Sequence, residues 1–497
     1  MKKIRVTLCM VLALCLTAGS FALADNPTTI RIGYLTWAGV PADMDKVEAY
    51  VNENILIPKL NVQLEMIPIN GGSYGEQVNL FLNDGAVDLV ELFGQNFWTL
   101  VSNGQITPMN ELLQEYGQGI MERIDPTLWW GCQVDGETYC VPLLSRAYGI
   151  DYCLYVREDL AEKYDINMER LETIGQVEEL LAMIKEKEPG IIPLVANGSF
   201  LGHIVTEPDG TVYSNTGDYI CGAVSEDLAD GMKVVNYFAT DEYARRIKIA
   251  RDWYEKGYVD ENVAILTAED TENTWNNNGA FCRFGLYAPG FGLPPANSRR
   301  IALGTQSEPR TGTAEISVFG WMIPSTSRNH EKAMQVLNEI FTNQDLANAL
   351  QWGLEGEHYV KTGKDDREIK YPDGVTSQTV TYSNDQSYAF GDLFGGLYME
   401  GTPANYDEIC QEFNNAKMKD TYLGFALDVE NIKTPMASVS AVISQYDPLL
   451  GCGAVDPETT LPEFLAALEG AGIQMCIDEF QTQLDVYAAA HPDRFAK

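Results

Sequence analysis

Apolar residues recur in this chain with a period that switches between two and about 3.6, and the switches predict its first elements. Ile30, Ile32 and Tyr34 alternate with polar neighbours and predict a strand, and Met44, Val47, Tyr50, Val51 and Ile55 follow at helical spacing. A second strand reads from Val62, Leu64 and Met66, a helix over 74–83, and a buried strand over 87–92. Strand and helix in alternation predict an α/β fold with a parallel-type sheet.

Further on, 138–144 and 148–155 read as two extended segments. A second α/β unit then opens with the helix of Val177, Leu180, Leu181 and Ile184 and a strand over 191–195. Residues 208–218 read as a surface loop, and the Asp/Asn-rich stretch 270–278 as turn and cap chemistry, since it lacks the residue order of a calcium loop. Ala333, Val336, Leu337 and Ile340 share one face of a helix over 331–341. Thr342 and Asp345 have capping-box spacing for the next helix, which ends near Trp352-Gly353. Pro462 lies early in a short helix that stops at Gly470-Ala471-Gly472, and Ile473, Cys476, Ile477, Phe480, Leu484 and Tyr487 form the stripe of a final helix. No internal repeat or long low-complexity linker interrupts this order.

Lys2, Lys3 and Arg5 precede an apolar run over 6–18, and Ala22-Leu23-Ala24 follows it, the layout of a secretory signal over 1–24. Cys15 lies inside that run rather than after it, which disfavours a lipid anchor. No later segment reaches the length of a spanning helix. Without 1–24 the chain keeps 31 Lys and Arg against 71 Asp and Glu, and such a surface repels nucleic acid. Eight cysteines remain. Cys132 and Cys140 flank the turn Val134-Asp135-Gly136-Glu137, where a hairpin disulfide and a pair of buried thiols both fit. With no Cys-x-x-Cys pair and four histidines, neither a metal nor another cofactor is expected.

In open α/β sheets ligands sit where strands pass into helices. The three loops at those places are Thr36-Trp37-Ala38-Gly39, Asn70-Gly71-Gly72-Ser73-Tyr74 and Gly94-Gln95-Asn96-Phe97-Trp98. Each joins an aromatic ring to small or amide-bearing neighbours. A sugar offers C–H faces to flat rings and a rim of hydroxyls to amides and carboxylates, so this chemistry suits a carbohydrate.

Several ordered motifs resemble the extracellular solute-binding proteins of ABC transporters, of the family-one carbohydrate type, in a long-chain subgroup with its own C-terminal domain. They are Gly85-Ala86-Val87-Asp88-Leu89-Val90, the runs 104–113 and 134–142, Pro324-Ser325-Thr326-Ser327, Trp352-Gly353-Leu354-Glu355-Gly356-Glu357-His358-Tyr359, Leu423-Gly424-Phe425-Ala426-Leu427-Asp428, and the runs 455–464 and 479–485. The resemblance implies a two-lobed periplasmic-binding-protein-like fold of type II, each lobe a central sheet flanked by helices. Lobe one would span 27–148 plus 309–352 and lobe two 149–308 plus 353–497. The hinge would be crossed near 148–152, 304–309 and 353–356. It further implies an exported monomer that hands its ligand to a membrane permease.

The site expected from these loops and this resemblance draws on Trp37, Tyr74, Glu91, Gln95 and Trp98, with Tyr148 and Asp151 near the hinge. Tyr287 lies in a loop where the family often carries a sugar-stacking aromatic, and Trp321, Glu355 and His358 complete the set. His358 is more simply a satisfied, hydrogen-bonded histidine than a metal ligand or base. Two rivals are a secreted carbohydrate-active enzyme, whose mark would be two carboxylates about 5 to 9 Å apart in a cleft, and an oligopeptide or sensory receptor on the same scaffold. No nucleophile elbow, zinc-protease motif or phosphate loop is present, so no enzyme is expected.

Overall fold

A computed structural model describes residues 26–95, 97–143, 151–203, 213–214, 219–225, 232–289, 295, 297–303, 310–384, 387–416, 418–419 and 422–492. The chain divides into two compact units and passes between them repeatedly. The first holds the described residues up to Glu91, with Glu111–Glu122 and Ile323–Gly391; the second holds Leu92–Asn110, Arg123–Met322 and the described residues from Asp392 onward.

The first unit is built on the parallel strands β1 (Thr28–Thr36) and β2 (Val62–Asn70) and the first residues of β3 (Leu89–Phe93), with β1 in the middle. Thr28 faces Val62 and Thr36 faces Asn70 in one unbroken register. The expected first helix is Met44–Val51, and it runs on through a π turn, Asn52–Leu56, into Ile57–Leu60. That turn aims the buried Asn52 amide at β2, where it donates to the Leu64 carbonyl (2.9 Å) and accepts from the Leu64 N–H (2.7 Å). The side chain thereby completes the hydrogen bonding of an edge strand.

The two halves of this unit, far apart in sequence, meet at Asp88. Its carboxylate accepts from the Arg31 N–H (3.0 Å), the Ser327 hydroxyl (2.7 Å) and the Asn329 amide (3.1 Å). Beside it the Thr326 hydroxyl donates to the Leu82 carbonyl (3.0 Å). The runs 85–90 and 324–327 are therefore two sides of one structural joint.

The second unit centres on the strand Asp151–Arg157, antiparallel to Ala280–Tyr287 on one side and Ser298–Ala302 on the other; Ile192–Leu194 pairs parallel to 280–287 at the far edge. One face of this sheet sends Leu154, Val156, Cys282 and Ile301 into the core. The C-terminal helices Lys433–Gly451, Pro457–Ala471 and Ile473–Ala490 fill the same core, with Phe464 edge-on to Phe238 (4.9 Å) and Phe480 stacked on Phe425 (5.4 Å).

Three local expectations change. The stretch 270–278 belongs mostly to a helix, Ala268–Asn276, started by a Thr267/Asp270 capping box, because the acidic side chains cap its first turn. Asn343, not Thr342, caps Gln344–Trp352: its side chain accepts from the Asp345 and Leu346 amides, while the Thr342 hydroxyl donates back to Asn338. The helix around Pro462 runs from Pro457 to Ala471, capped by Asp456. Of the expected loop 208–218 only Tyr213 and Ser214 are described, and they form a short strand. Of the expected hinge crossing at 148–152 only Asp151 and Tyr152 are described, and the one at 304–309 lies outside the described residues. Cys132 and Cys140 flank a two-strand hairpin as buried free thiols, and burial pushes the Cys140 thiol well above its usual range. No described helix is long and apolar enough to cross a membrane.

Candidate functional site

At the carboxyl ends of β1 and β2 the chain assembles an aromatic platform. The Thr36 hydroxyl ties back to Gly39, accepting from its N–H (3.1 Å), and so turns the chain and projects Trp37 outward. Opposite, the Asn70 side chain accepts from the Gly72 N–H (2.9 Å) and starts a short 3-10 turn, Gly71–Ser73. The indole lies directly on Gly71: a β-carbon there would sit 2.3 to 2.5 Å from three ring atoms. Only glycine permits this approach. Trp37 is nonetheless 59% exposed, a large ring with one face backed by peptide and much of its surface open.

Tyr74 and Glu91 support this end of the sheet from below. Both are buried; the Tyr74 hydroxyl donates to the Glu91 carbonyl oxygen (2.5 Å), and the Glu91 carboxylate accepts from the Leu35 N–H (2.9 Å). Burial pushes the Tyr74 hydroxyl well above the usual phenol range, so it stays a proton donor. Neither side chain reaches the surface that Trp37 occupies.

His358 is wholly committed to structure. Its Nδ1 accepts from the Leu354 N–H (2.9 Å), which places the proton on Nε2, and Nε2 donates to the Asp43 carboxylate (3.1 Å). The ring is 1% exposed and tilts against Tyr382. Glu355 is exposed and its backbone bridges Tyr359; burial, and then Glu355 nearby, pushes the Tyr359 hydroxyl up to about 12.

In the second unit the Gln95 side chain accepts from the Phe93 N–H (3.2 Å) and shapes the turn. Trp98 is half-buried, edge-on to Phe97 at 4.7 Å. Trp321 is fully buried in the strand Phe319–Met322, paired with Val141. Tyr287 pairs in register with Asp151, meets Phe413 edge-on at 6.2 Å, and carries the Arg300 guanidinium over its ring at 3.7 Å. Tyr148 lies outside the described residues. The structure thus places Trp37 at an exposed strand end and puts Tyr74, Glu91, Trp321 and His358 inside. Arg300, which the sequence did not single out, alternates with the buried Ile301 along the strand Ser298–Ala302. Among the described residues no group of three or more His, Cys, Asp or Glu is arranged to hold a metal ion.

Comparison with known proteins places this geometry in context. The family model described as bacterial extracellular solute-binding protein matches residues 41–347, and one described as a domain of unknown function (DUF3502) matches 421–489. A Streptococcus pneumoniae serotype 4 protein named carbohydrate ABC transporter substrate-binding protein is 25% identical across 97% of this chain and 96% of its own length. The crystal structure of the N-glycan transport solute-binding protein NgtS from Streptococcus pneumoniae superposes with a TM-score of 0.79 at 21% identity, covering 93% of this chain and 99% of that one. An HMO-binding, ABC-transporter-associated solute-binding protein from Bifidobacterium longum infantis gives 0.66 at 14% identity, with the same coverage of each chain.

Proposed function

We propose a carbohydrate cargo from a plain premise: this chain belongs to the bacterial extracellular solute-binding proteins. An exported protein of that family captures a solute outside the cytoplasm. The solute we infer is an oligosaccharide, delivered to the membrane permease of an ABC importer. The observation that carries the reading is the Trp37 indole, laid on Gly71 at the end of a parallel sheet and left mostly exposed. Exposing a ring of this size to water is unfavourable unless a ligand covers it, and the flat C–H face of a pyranose fits it. The names of the relatives, a carbohydrate ABC transporter substrate-binding protein and an N-glycan transport solute-binding protein, support the same class of ligand.

The protein acts as a carrier, not a catalyst. His358 has both ring nitrogens engaged by Leu354 and Asp43, and Glu91 is folded into the backbone of β1. A bound glycan stabilises the liganded conformation, and the permease reads that conformation by population shift. The protein works as a monomer, and its excess of acidic residues keeps it off nucleic acid.

Thermal unfolding against a panel of neutral and acidic oligosaccharides, monosaccharides and short peptides, with product analysis of each mixture, tests this reading. One glycan class is expected to raise the midpoint without being consumed; at ~100 times its Kd a ligand adds about 2.7 kcal/mol. A shift with peptides alone contradicts a carbohydrate cargo, and consumption of the glycan contradicts a carrier.

A further inference from the structure

Strand register in the second unit sets three side chains in a row. Tyr155 of the central strand faces Arg283 on one neighbour and Arg300 on the other, and directly paired residues project from the same face of a sheet. The Tyr155 ring lies on Gly285, where a β-carbon would come within 2.2 Å of it, and its hydroxyl donates to the Leu286 carbonyl (3.2 Å). Each arginine lies over an aromatic ring: Arg283 at 5.2 Å from the centre of Trp275 and Arg300 at 3.7 Å from that of Tyr287. Both guanidiniums act on the Tyr155 hydroxyl. Burial pushes that hydroxyl up to about 12 while the two cations pull the other way.

The two arginines differ in their charge balance. Arg283 is paired with Glu272, and Arg299, one residue away on the opposite face, is held by Glu158 and Glu162 at 2.8 Å each. Arg300 has no carboxylate partner among the described residues, in a chain with 71 acidic residues against 34 basic ones. A half-buried arginine whose guanidinium sits over a ring is pre-ordered for a planar anion.

We propose that Arg300, stacked on Tyr287 beside Tyr155 and Arg283, recognises a carboxylate on the bound glycan, so that the protein prefers oligosaccharides carrying an acidic sugar to their neutral counterparts. The inference rests on the carbohydrate reading above and deepens it. Uronic and sialic acids present the same carboxylate, and the test separates them.

Isothermal titration of the mature protein with 3′-sialyllactose against lactose, and with tetragalacturonate against its methyl ester, measures the preference directly; a neutral mannooligosaccharide reports carbohydrate binding as such. The acidic member of at least one pair is expected to bind on the order of tenfold tighter or more, with the advantage shrinking as salt is raised. The pair that shows the preference names the acid. In Arg300→Gln the ratio of acidic to neutral affinity falls toward one, and Arg300→Lys restores part of it. Equal affinities in both pairs, or a ratio unchanged in Arg300→Gln, overturn the inference, and mannooligosaccharide binding then leaves the carbohydrate reading standing. No binding by any glycan overturns both. Should Arg300→Gln fail to fold, the salt dependence of the wild-type ratio and the Arg300→Lys ratio decide.

Discussion

A histidine in a Glu-x-Glu-His run invites a chemical role, and at His358 the geometry withdraws it. An amide hydrogen already takes the Nδ1 lone pair, and the Nε2 proton is given to Asp43, which also accepts from the Thr381 hydroxyl (2.5 Å). Those hydrogen bonds, from Thr381 first and His358 second, hold the Asp43 carboxyl below its usual value of 3.8. A carboxyl with a lowered folded pKa adds stability that is present above its unfolded value and lost as pH falls through the folded one. Acid unfolding should therefore be less steep in Asp43→Asn below about pH 4, with little difference between the two proteins at pH 7 beyond a constant offset. The effect is small, because this carboxylate is about one-third exposed and solvent screens it. Parallel curves for the two proteins through that range would contradict the assignment. The sequence suggested that His358 was a satisfied residue, but its partner Asp43 and the Thr381 hydroxyl that Asp43 also accepts from were not legible, since both lie in segments distant from it.

At the scale of elements, the β1, β2 and β3 region was legible because its apolar periods are clean and its strands, all parallel, follow one another along the chain. The α/β class and the final helices were legible for the same reason. Cap positions were not: Thr342 and Asn343 are both good caps one residue apart, and only the tertiary path of the chain selects Asn343. The joint at Asp88 was legible only as two separate motifs. Burying a carboxylate with three donors there makes the unit depend on it, because removing the acceptor leaves the Arg31 amide, Ser327 and Asn329 without their bonds. Asp88→Ala should lose about 3 kcal/mol in urea unfolding. A loss below ~1 kcal/mol would mean that the joint is dispensable.

For the whole molecule, what the sequence could offer was a family resemblance, and the match over 41–347 makes it membership. The C-terminal segment matched as a domain of unknown function shares one apolar core with the strand at 151–157, so it completes the second unit rather than standing apart from it. Site residues were less legible than fold, because an aromatic residue beside a strand end reads the same whether it is buried like Tyr74 or exposed like Trp37. What separates them is a glycine across the loop, Gly71, whose missing β-carbon leaves the indole its seat. The measurement that bears most directly on oligosaccharide capture is a calorimetric titration of the mature protein and of Trp37→Ala with the glycan class found by thermal shift. Saturable binding at one site in the wild type, weakened about tenfold or more in Trp37→Ala with an unchanged unfolding midpoint in the absence of ligand, is the predicted result. Equal affinity in the two proteins, or no heat with any glycan, would contradict it.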